Sequence, residues 1–454
     1  MYMNQQNNNL IKLNIVDINN DGEGVGKFEG KTIFVPNTVT GDVVLVQLNF
    51  IKQKYAYGKI KKIIHSSPYR IRPSCIVADK CGGCQWQHIS PEYQLYIKQN
   101  KIIQSLQRIG RFKDVFVLPI LSSSQIFGYR NKATYPLGYS KFGNVNAGYY
   151  QRYSHKLINL NQCPIQDSRL NSFLAEIKVD IEKQGWSIYN EKTYQGHLRH
   201  LALRIGQNSG EVLLTLISTT GNITKIKEQA KLWLERYPNL VGVLVNKNSE
   251  KNNKIFGNQT FSIVGKPFLK ERFFNIDFKL RPDTFFQVNA QSAETLLHSL
   301  LDNLILTGKE KIVDAYCGIG TFTLPLAKRI SHAIGIEISH DSIEQAKANA
   351  ELNNINNVEF YQGAVKDILP TLNIFPDIVL LDPPRNGCDD SVIETLREIC
   401  PPLIIYISCQ PSTLARDLKK ICYQNLYKIL WVQPVDFFPQ TSHLESIVAI
   451  RRII

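Results

Sequence analysis

Asp314-Ala-Tyr-Cys-Gly-Ile-Gly-Thr-Phe-Thr323 decides the fold class. An apolar strand candidate, Ile312–Tyr316, runs into it, and a helical pattern, Thr321–Arg329, runs out of it. Gly318 and Gly320 let the backbone come close to a ligand at the C-terminal edge of that strand. The stretch lacks both the G-x-G-x-x-G of a dinucleotide site and the G-x-x-x-x-G-K-[ST] of a P-loop. The next strand candidate, Ala333–Ile338, carries Glu337, 23 residues after Asp314. An acid at that strand end is placed to accept hydrogen bonds from ribose hydroxyls. An adenosine site without a pyrophosphate cradle implies S-adenosylmethionine.

Downstream the pattern stays regular. Strand candidates Val358–Tyr361, Ile378–Leu381 and Leu403–Ser408 alternate with helix candidates Asp341–Asn353, Ser391–Cys400 and Thr413–Cys422. Buried strands between amphipathic helices predict a Rossmann-like, doubly wound sheet. Tyr427–Val435 and Leu444–Arg451 have no crossover helix between them, so they are expected to pair antiparallel. Three strand ends carry chemistry. Asp382 opens Asp382-Pro-Pro-Arg-Asn-Gly387. Cys409 follows the fifth strand directly, at the mouth of a helix beginning near Ser412. Helix N-termini depress a thiol's pKa, so Cys409 is expected to be an activated nucleophile. Cys317, Cys388, Cys400 and Cys422 read instead as packing or surface residues. Glu445 opens the last strand, as a surface alternation residue or as a proton acceptor aimed at the same pocket.

Upstream the chain is basic. The full 454 residues hold 53 Lys+Arg against 39 Asp+Glu, a net charge of +14. A 43% hydrophobic content excludes a disordered or fibrous chain, and such basicity points to a polyanion, nucleic acid first. No run of about 18 apolar residues spans a membrane. The start, MYMNQQNNN, has no signal-peptide pattern. A cytoplasmic protein is expected, its nine cysteines serving as ligands, nucleophiles or core rather than disulfides.

The segment from about Leu10 to Ile64 reads as short strands around turns at Asp21-Gly-Glu-Gly and Glu29-Gly-Lys, which suits a small all-β barrel. Residues 67–280 read as a central α+β unit, with a helix over about 92–110 that is expected to pack on the C-terminal domain. Residues 281–454 form the cofactor domain. Two runs, Val43–Ala78 and Val115–Gln166, contain no acid and interleave Lys and Arg with tyrosines. Cations for phosphates with aromatic faces for bases suit single-stranded nucleic acid; a solvated basic face is the alternative. Cys75-x5-Cys81-x2-Cys84 and Cys163 supply four thiols, which suit zinc or [4Fe–4S] on ligand grounds.

Asp382-Pro-Pro-Arg-Asn-Gly387, Ile405-Tyr-Ile-Ser-Cys-Gln-Pro-Ser-Thr-Leu-Ala-Arg-Asp417 and Gln440-Thr-Ser-His-Leu-Glu445 resemble the signatures of the RNA uracil-C5 methyltransferases. Arg281-Pro-Asp-Thr-Phe-Phe-Gln-Val-Asn289 is similar to that family's segment leading into the cofactor domain. The resemblance implies Cys409 as nucleophile and Glu445 as base. It implies Gln287, Tyr316, Glu337 and Asp382 as S-adenosylmethionine contacts, with Thr321 at a nearby position where relatives carry Asn. Gln410 departs likewise from a common Asn. The ribosomal-RNA members have a similar three-plus-one cysteine pattern holding [4Fe–4S], and an N-terminal TRAM barrel matching residues 1–66. The resemblance therefore implies a 23S rRNA (uracil-5-)-methyltransferase with Cys75, Cys81, Cys84 and Cys163 as cluster ligands. RNA is the implied partner, with neither a membrane nor an obligate protein partner. A tRNA uracil-C5 methyltransferase and a non-catalytic RNA-binding protein are the competing readings. An iron–sulfur radical enzyme would need C-x3-C-x2-C, which is absent.

Overall fold

A computed structural model describes residues 10–453. The polar start Met1–Asn9, including the first nine residues of the expected barrel, lies outside the described residues. No described helix is long and apolar enough to cross a membrane.

The C-terminal sheet has seven strands. In spatial order they are Val358–Gln362, His332–Glu337, Lys311–Asp314, Ile378–Leu381, Leu403–Ser408, Glu445–Arg452 and Tyr427–Val435. The first five are parallel. Glu445–Arg452 inserts antiparallel between the fifth strand and Tyr427–Val435. Parallel strands all present their C-terminal ends at one edge of a sheet. An antiparallel neighbour presents its N-terminal end there. Ser408 pairs with Ser446, so one step further the register sets Cys409 against Glu445. Topology thus brings together two residues 36 positions apart in sequence.

Each face of this sheet buries its own core. On one side, Asp390–Ile399 and Pro411–Ile421 contribute Val392, Leu396, Leu414 and Leu418, joined by Ile102 from the helix Pro91–Ser105. That helix does pack on the C-terminal sheet. It continues as a π-helical turn, Leu106–Gly110, and stops at Arg111 in the left-handed region. On the other side, Ala290–Asp302 packs with Phe273, Phe278 and Phe286. The hairpin Leu269–Phe273/Ile276–Leu280 therefore buries its apolar face in the core of the C-terminal sheet, although the sequence reading grouped it with the central unit.

The central unit has a seven-stranded sheet, ordered Gln259–Gly265, Leu240–Lys247, Val212–Ser218, Leu198–Ile205, Lys132–Tyr139, Val145–Tyr150, Leu157–Asn159. Asn171–Lys183 and Ile226–Arg236 bury Phe173, Ile177 and Trp233 against it. The second acid-free run supplies the last three strands. Its tyrosines Tyr129, Tyr135 and Tyr149 face inward, Tyr129 and Tyr135 being fully buried, whereas Tyr139 and Tyr153 remain exposed. The N-terminal sheet has six strands. Leu10–Asn14 alternates exposed and buried, as a half-buried strand must. The chain then curls so that the Val16 N–H donates to the Val25 carbonyl at 2.8 Å.

Candidate active site

The C-terminal strand ends surround a cavity of about 1010 Å³. Gln287, Tyr316, Glu337, Asp382, Cys409 and Glu445 all line it. Thr321 does not; it is buried behind the glycine turn. Asp314 also stands back from the cavity. Its carboxylate accepts from Thr323 Oγ1 at 2.6 Å and so holds the turn that presents Tyr316. Gly318 in this turn has φ +55°, and a Cβ there would meet nothing within 4 Å, so the backbone borders open space. Glu337 accepts from the Ser339 N–H at 2.7 Å. The Gln287 carbonyl accepts from Asn131 Nδ2 at 2.9 Å, which ties the wall to the central unit.

Several wall residues had no role in the sequence reading. Phe285 lies inside a segment recognised only as a family signature. Arg385, Phe438 and His443 lie in or beside other such segments. Lys254, Phe256 and Asn258 come from a loop of the central unit that carries no sequence signal. Asn246 shapes that loop: its side chain donates to the Gly257 carbonyl at 3.0 Å and accepts from the Gly257 N–H at 2.7 Å.

Three groups of the site, Asp382, Glu445 and Cys409, are held back from ionising. Burial and the neighbouring Asp314 push Asp382 up to about 7. Burial and Asp382 push Glu445 well above the usual carboxylate range, against the opposing effect of Arg385. Burial and Glu445 push the Cys409 thiol up to about 11, again opposed by Arg385. This corrects the expectation of a depressed thiol pKa. The helix Pro411–Ile421 has Gln410 at its N-cap. Cys409 precedes the cap, and burial together with the carboxyl groups of Glu445 and Asp382 raises the thiol despite the helix end. The arrangement is a thiol and a carboxyl on neighbouring strand ends, with Arg385 as the cation that favours ionisation of both.

Cys75, Cys81, Cys84 and Cys163 line a second, small pocket. Burial, then Cys163, Cys81 and Cys75, raise Cys84 to about 12, while a Gln87 hydrogen bond opposes the rise. Burial, then Cys81 and Cys75, raise Cys163 to about 11 against two backbone hydrogen bonds. Thiols that repel one another's charge suit a shared cationic centre. Among the described residues, no three His, Cys, Asp or Glu side chains converge as one metal ion requires.

A groove of about 2040 Å³ opens beside the active-site cavity and shares Arg385 and His443 with it. Tyr57 and Lys59 of the N-terminal sheet and Tyr150, Arg152 and Lys156 of the second acid-free run line it. On the N-terminal sheet, Tyr57 packs against Phe34 at 5.3 Å and Phe50 at 6.3 Å. Phe50, Tyr55 and Tyr57 stay exposed.

Residues 93–453 match the tRNA (Uracil-5-)-methyltransferase family, and residues 7–61 match the TRAM domain. An uncharacterized RNA methyltransferase of Nostoc sp. is 55% identical over 96% of this chain and 95% of that protein. One from Bacillus cereus is 37% identical over 99% of this chain and 98% of that protein. Among solved structures, the Pyrococcus abyssi tRNA (uracil-54, C5)-methyltransferase in complex with S-adenosyl-L-homocysteine superposes with a TM-score of 0.77. It is 29% identical and covers 97% of this chain and 99% of its own.

Proposed function

We propose a mechanism from the premise that this chain belongs to the tRNA (uracil-5-)-methyltransferase family. It is an S-adenosylmethionine-dependent RNA (uracil-5-)-methyltransferase with a TRAM domain. The proposal concerns how it acts, and on which RNA. The observation that carries it is the register that sets Cys409 against Glu445 on the wall of one cavity.

Uracil C5 is too weak a carbon nucleophile to be methylated unaided. Cys409 Sγ adds to C6, and the electron pair of the C5=C6 bond moves toward C5 and the C4 carbonyl. When bound, S-adenosylmethionine supplies an electrophilic methyl group. C5 takes that methyl, the pair of the broken C–S bond staying with the departing thioether, and the ionised form of Glu445, which Arg385 favours, then removes the C5 proton. The electrons of the broken C–H bond re-form C5=C6 and expel the Cys409 thiolate. Arg385, which favours ionisation of both groups, supports this cycle. Gln287, Tyr316, Glu337 and Asp382 hold S-adenosylmethionine; Thr321, off the cavity wall, does not touch it. A uridine in folded RNA must swing out of its stack to enter such a cavity. The groove on the other side of Arg385 and His443 gives its flanking nucleotides a path.

In this reading residues 1–66 form an OB-like RNA-binding barrel, 67–280 a second RNA-binding unit and 281–454 the transferase domain. Cys75, Cys81, Cys84 and Cys163 hold one [4Fe–4S] cluster with a structural role. Four thiols lining one small pocket fit the donor set of such a cluster, and a cluster spreads its ligands wider than one ion does. The substrate is a uridine of 23S rRNA, in the cytoplasm, by the resemblance of the cysteine pattern and barrel to the ribosomal-RNA enzymes. A tRNA uridine is the second reading, favoured by the likeness to the Pyrococcus abyssi enzyme over 97% of this chain.

Purified enzyme, labelled S-adenosylmethionine and separate RNA pools test the proposal. Label at C5 of uridine in 23S rRNA is expected. Label confined to tRNA overturns the substrate; label on another base or position overturns the chemistry.

A further inference from the structure

The helix Pro91–Ser105 buries an unusual stripe: Gln94, Lys98, Ile102 and Ser105. Burying an amide and an ammonium is costly unless both are partnered. Of the six hydrogen bonds made by the Gln94 and Lys98 side chains, four go to one segment, the connection between Tyr427–Val435 and Glu445–Arg452, and the Gln94 amide donates the other two to the Trp86 and Ile89 carbonyls. Lys98 Nζ donates to Asp436 Oδ1 at 2.5 Å and to the Phe438 carbonyl at 3.0 Å. Gln94 accepts from the Gln440 N–H at 3.0 Å and donates to Gln440 Oε1 at 3.2 Å. Its amide also donates to the Ile89 carbonyl at 2.8 Å. Gln440 is buried with φ +69°, a left-handed conformation that costs a non-glycine residue free energy and persists only where surroundings impose it.

This segment is the hairpin connection that closes on the Val435–Glu445 pair. Among the described residues, no side-chain hydrogen bond holds the Glu445 carboxyl. Its aim depends on where the strand begins, and the strand begins where the clamped connection ends.

We propose that Gln94 and Lys98 are positioning residues for Glu445, acting through the connection 436–444 on the proton-removal step. The inference rests on the reading of Glu445 as the base. It has a consequence that a merely structural role lacks. A misplaced base slows the last step and leaves adduct formation intact. The enzyme should then stall as a covalent, methylated protein–RNA complex.

The test uses the full chain, ordinary uridine-containing RNA and S-adenosylmethionine, with Gln94→Met and Lys98→Met. Turnover number and denaturant-stable protein–RNA adduct are measured together, alongside RNA affinity. Turnover falling on the order of 10–100-fold, with adduct rising and RNA affinity retained, is expected. Adduct and turnover falling in parallel, or turnover staying at the wild-type value, overturns the inference. Lys98→Met strands a buried carboxylate, so Gln94→Met, which leaves no charge unpaired, carries the test independently. Should neither variant fold, the stripe serves overall stability and the inference fails. Glu445→Gln is the comparator. No adduct in Glu445→Gln refutes the assignment of the base, whereas adduct there and none in Gln94→Met refutes only the positioning role.

Discussion

Cys409 and the quartet Cys75, Cys81, Cys84 and Cys163 make an instructive pair of thiol sites. In both, burial raises thiol pKa values: Cys409 and Cys163 to about 11, Cys84 to about 12. Burial therefore does not distinguish the proposed nucleophile from the proposed cluster ligands. Their neighbours do. Cys409 borders a cavity of about 1010 Å³ beside a carboxyl group and opposite Arg385. The quartet lines a small pocket of its own. One site has room for a substrate and a carboxyl group beside the thiol. The other gathers four thiols that raise one another's pKa, which a multinuclear centre would reconcile.

The largest effect that sharpens this contrast is Cys409→Ala. It should abolish methyl transfer and every covalent adduct while S-adenosylmethionine binding persists, measured by isothermal titration. Residual turnover would place the nucleophile elsewhere. Next comes Glu445→Gln, which should slow turnover by about 10²–10⁴-fold, the range typical of a lost general base, and trap the adduct on gels. Cys81→Ser should do the reverse. It should remove iron and lower RNA affinity, measured by filter binding with metal analysis, yet leave S-adenosylmethionine binding in place. A clusterless Cys81→Ser protein with full RNA affinity would collapse the distinction between the two sites.

The smallest effect concerns pH. A cysteine adds as its thiolate, and the pKa of Cys409 is raised, so its thiolate fraction grows about tenfold per pH unit below that pKa. Adduct formation should therefore climb as pH rises through the neutral range. Arg385→Gln removes the cation that lowers both Cys409 and Glu445 and should shift the profile to higher pH. A profile that is flat, or that moves to lower pH in Arg385→Gln, would contradict the electrostatic account.

The cofactor sheet was legible because its chemistry sits at strand ends. Gly318, Glu337, Asp382 and Cys409 punctuate apolar strands, and each strand lies within two residues of its expected bounds. The pairing of Cys409 with Glu445 was less legible. Each residue reads alone as a strand-end polar group, and only the insertion of the last strand beside the fifth makes them neighbours. The thiol's electrostatics were misread, because the helix end is visible in sequence and the buried carboxyls are not. In the central unit the strands of the second acid-free run and the helix Asn171–Lys183 went unread. Inward tyrosines there occupy core positions that composition assigns equally well to a binding face. The wall loop around Phe256 had no signal at all, since its place is fixed by the Asn246 contacts to Gly257.

RNA carrying 5-fluorouridine at the target position tests the central claim most directly. A carboxylate can remove a proton from C5 but not fluorine, so the cycle should halt after Cys409 has added and methyl has been transferred. Mass spectrometry of the digested complex should find a methylated 5-fluorouracil joined to the peptide containing Cys409, and Cys409→Ala should yield none. Full turnover of the fluorinated RNA without a stable complex, or attachment at another cysteine, would contradict the account.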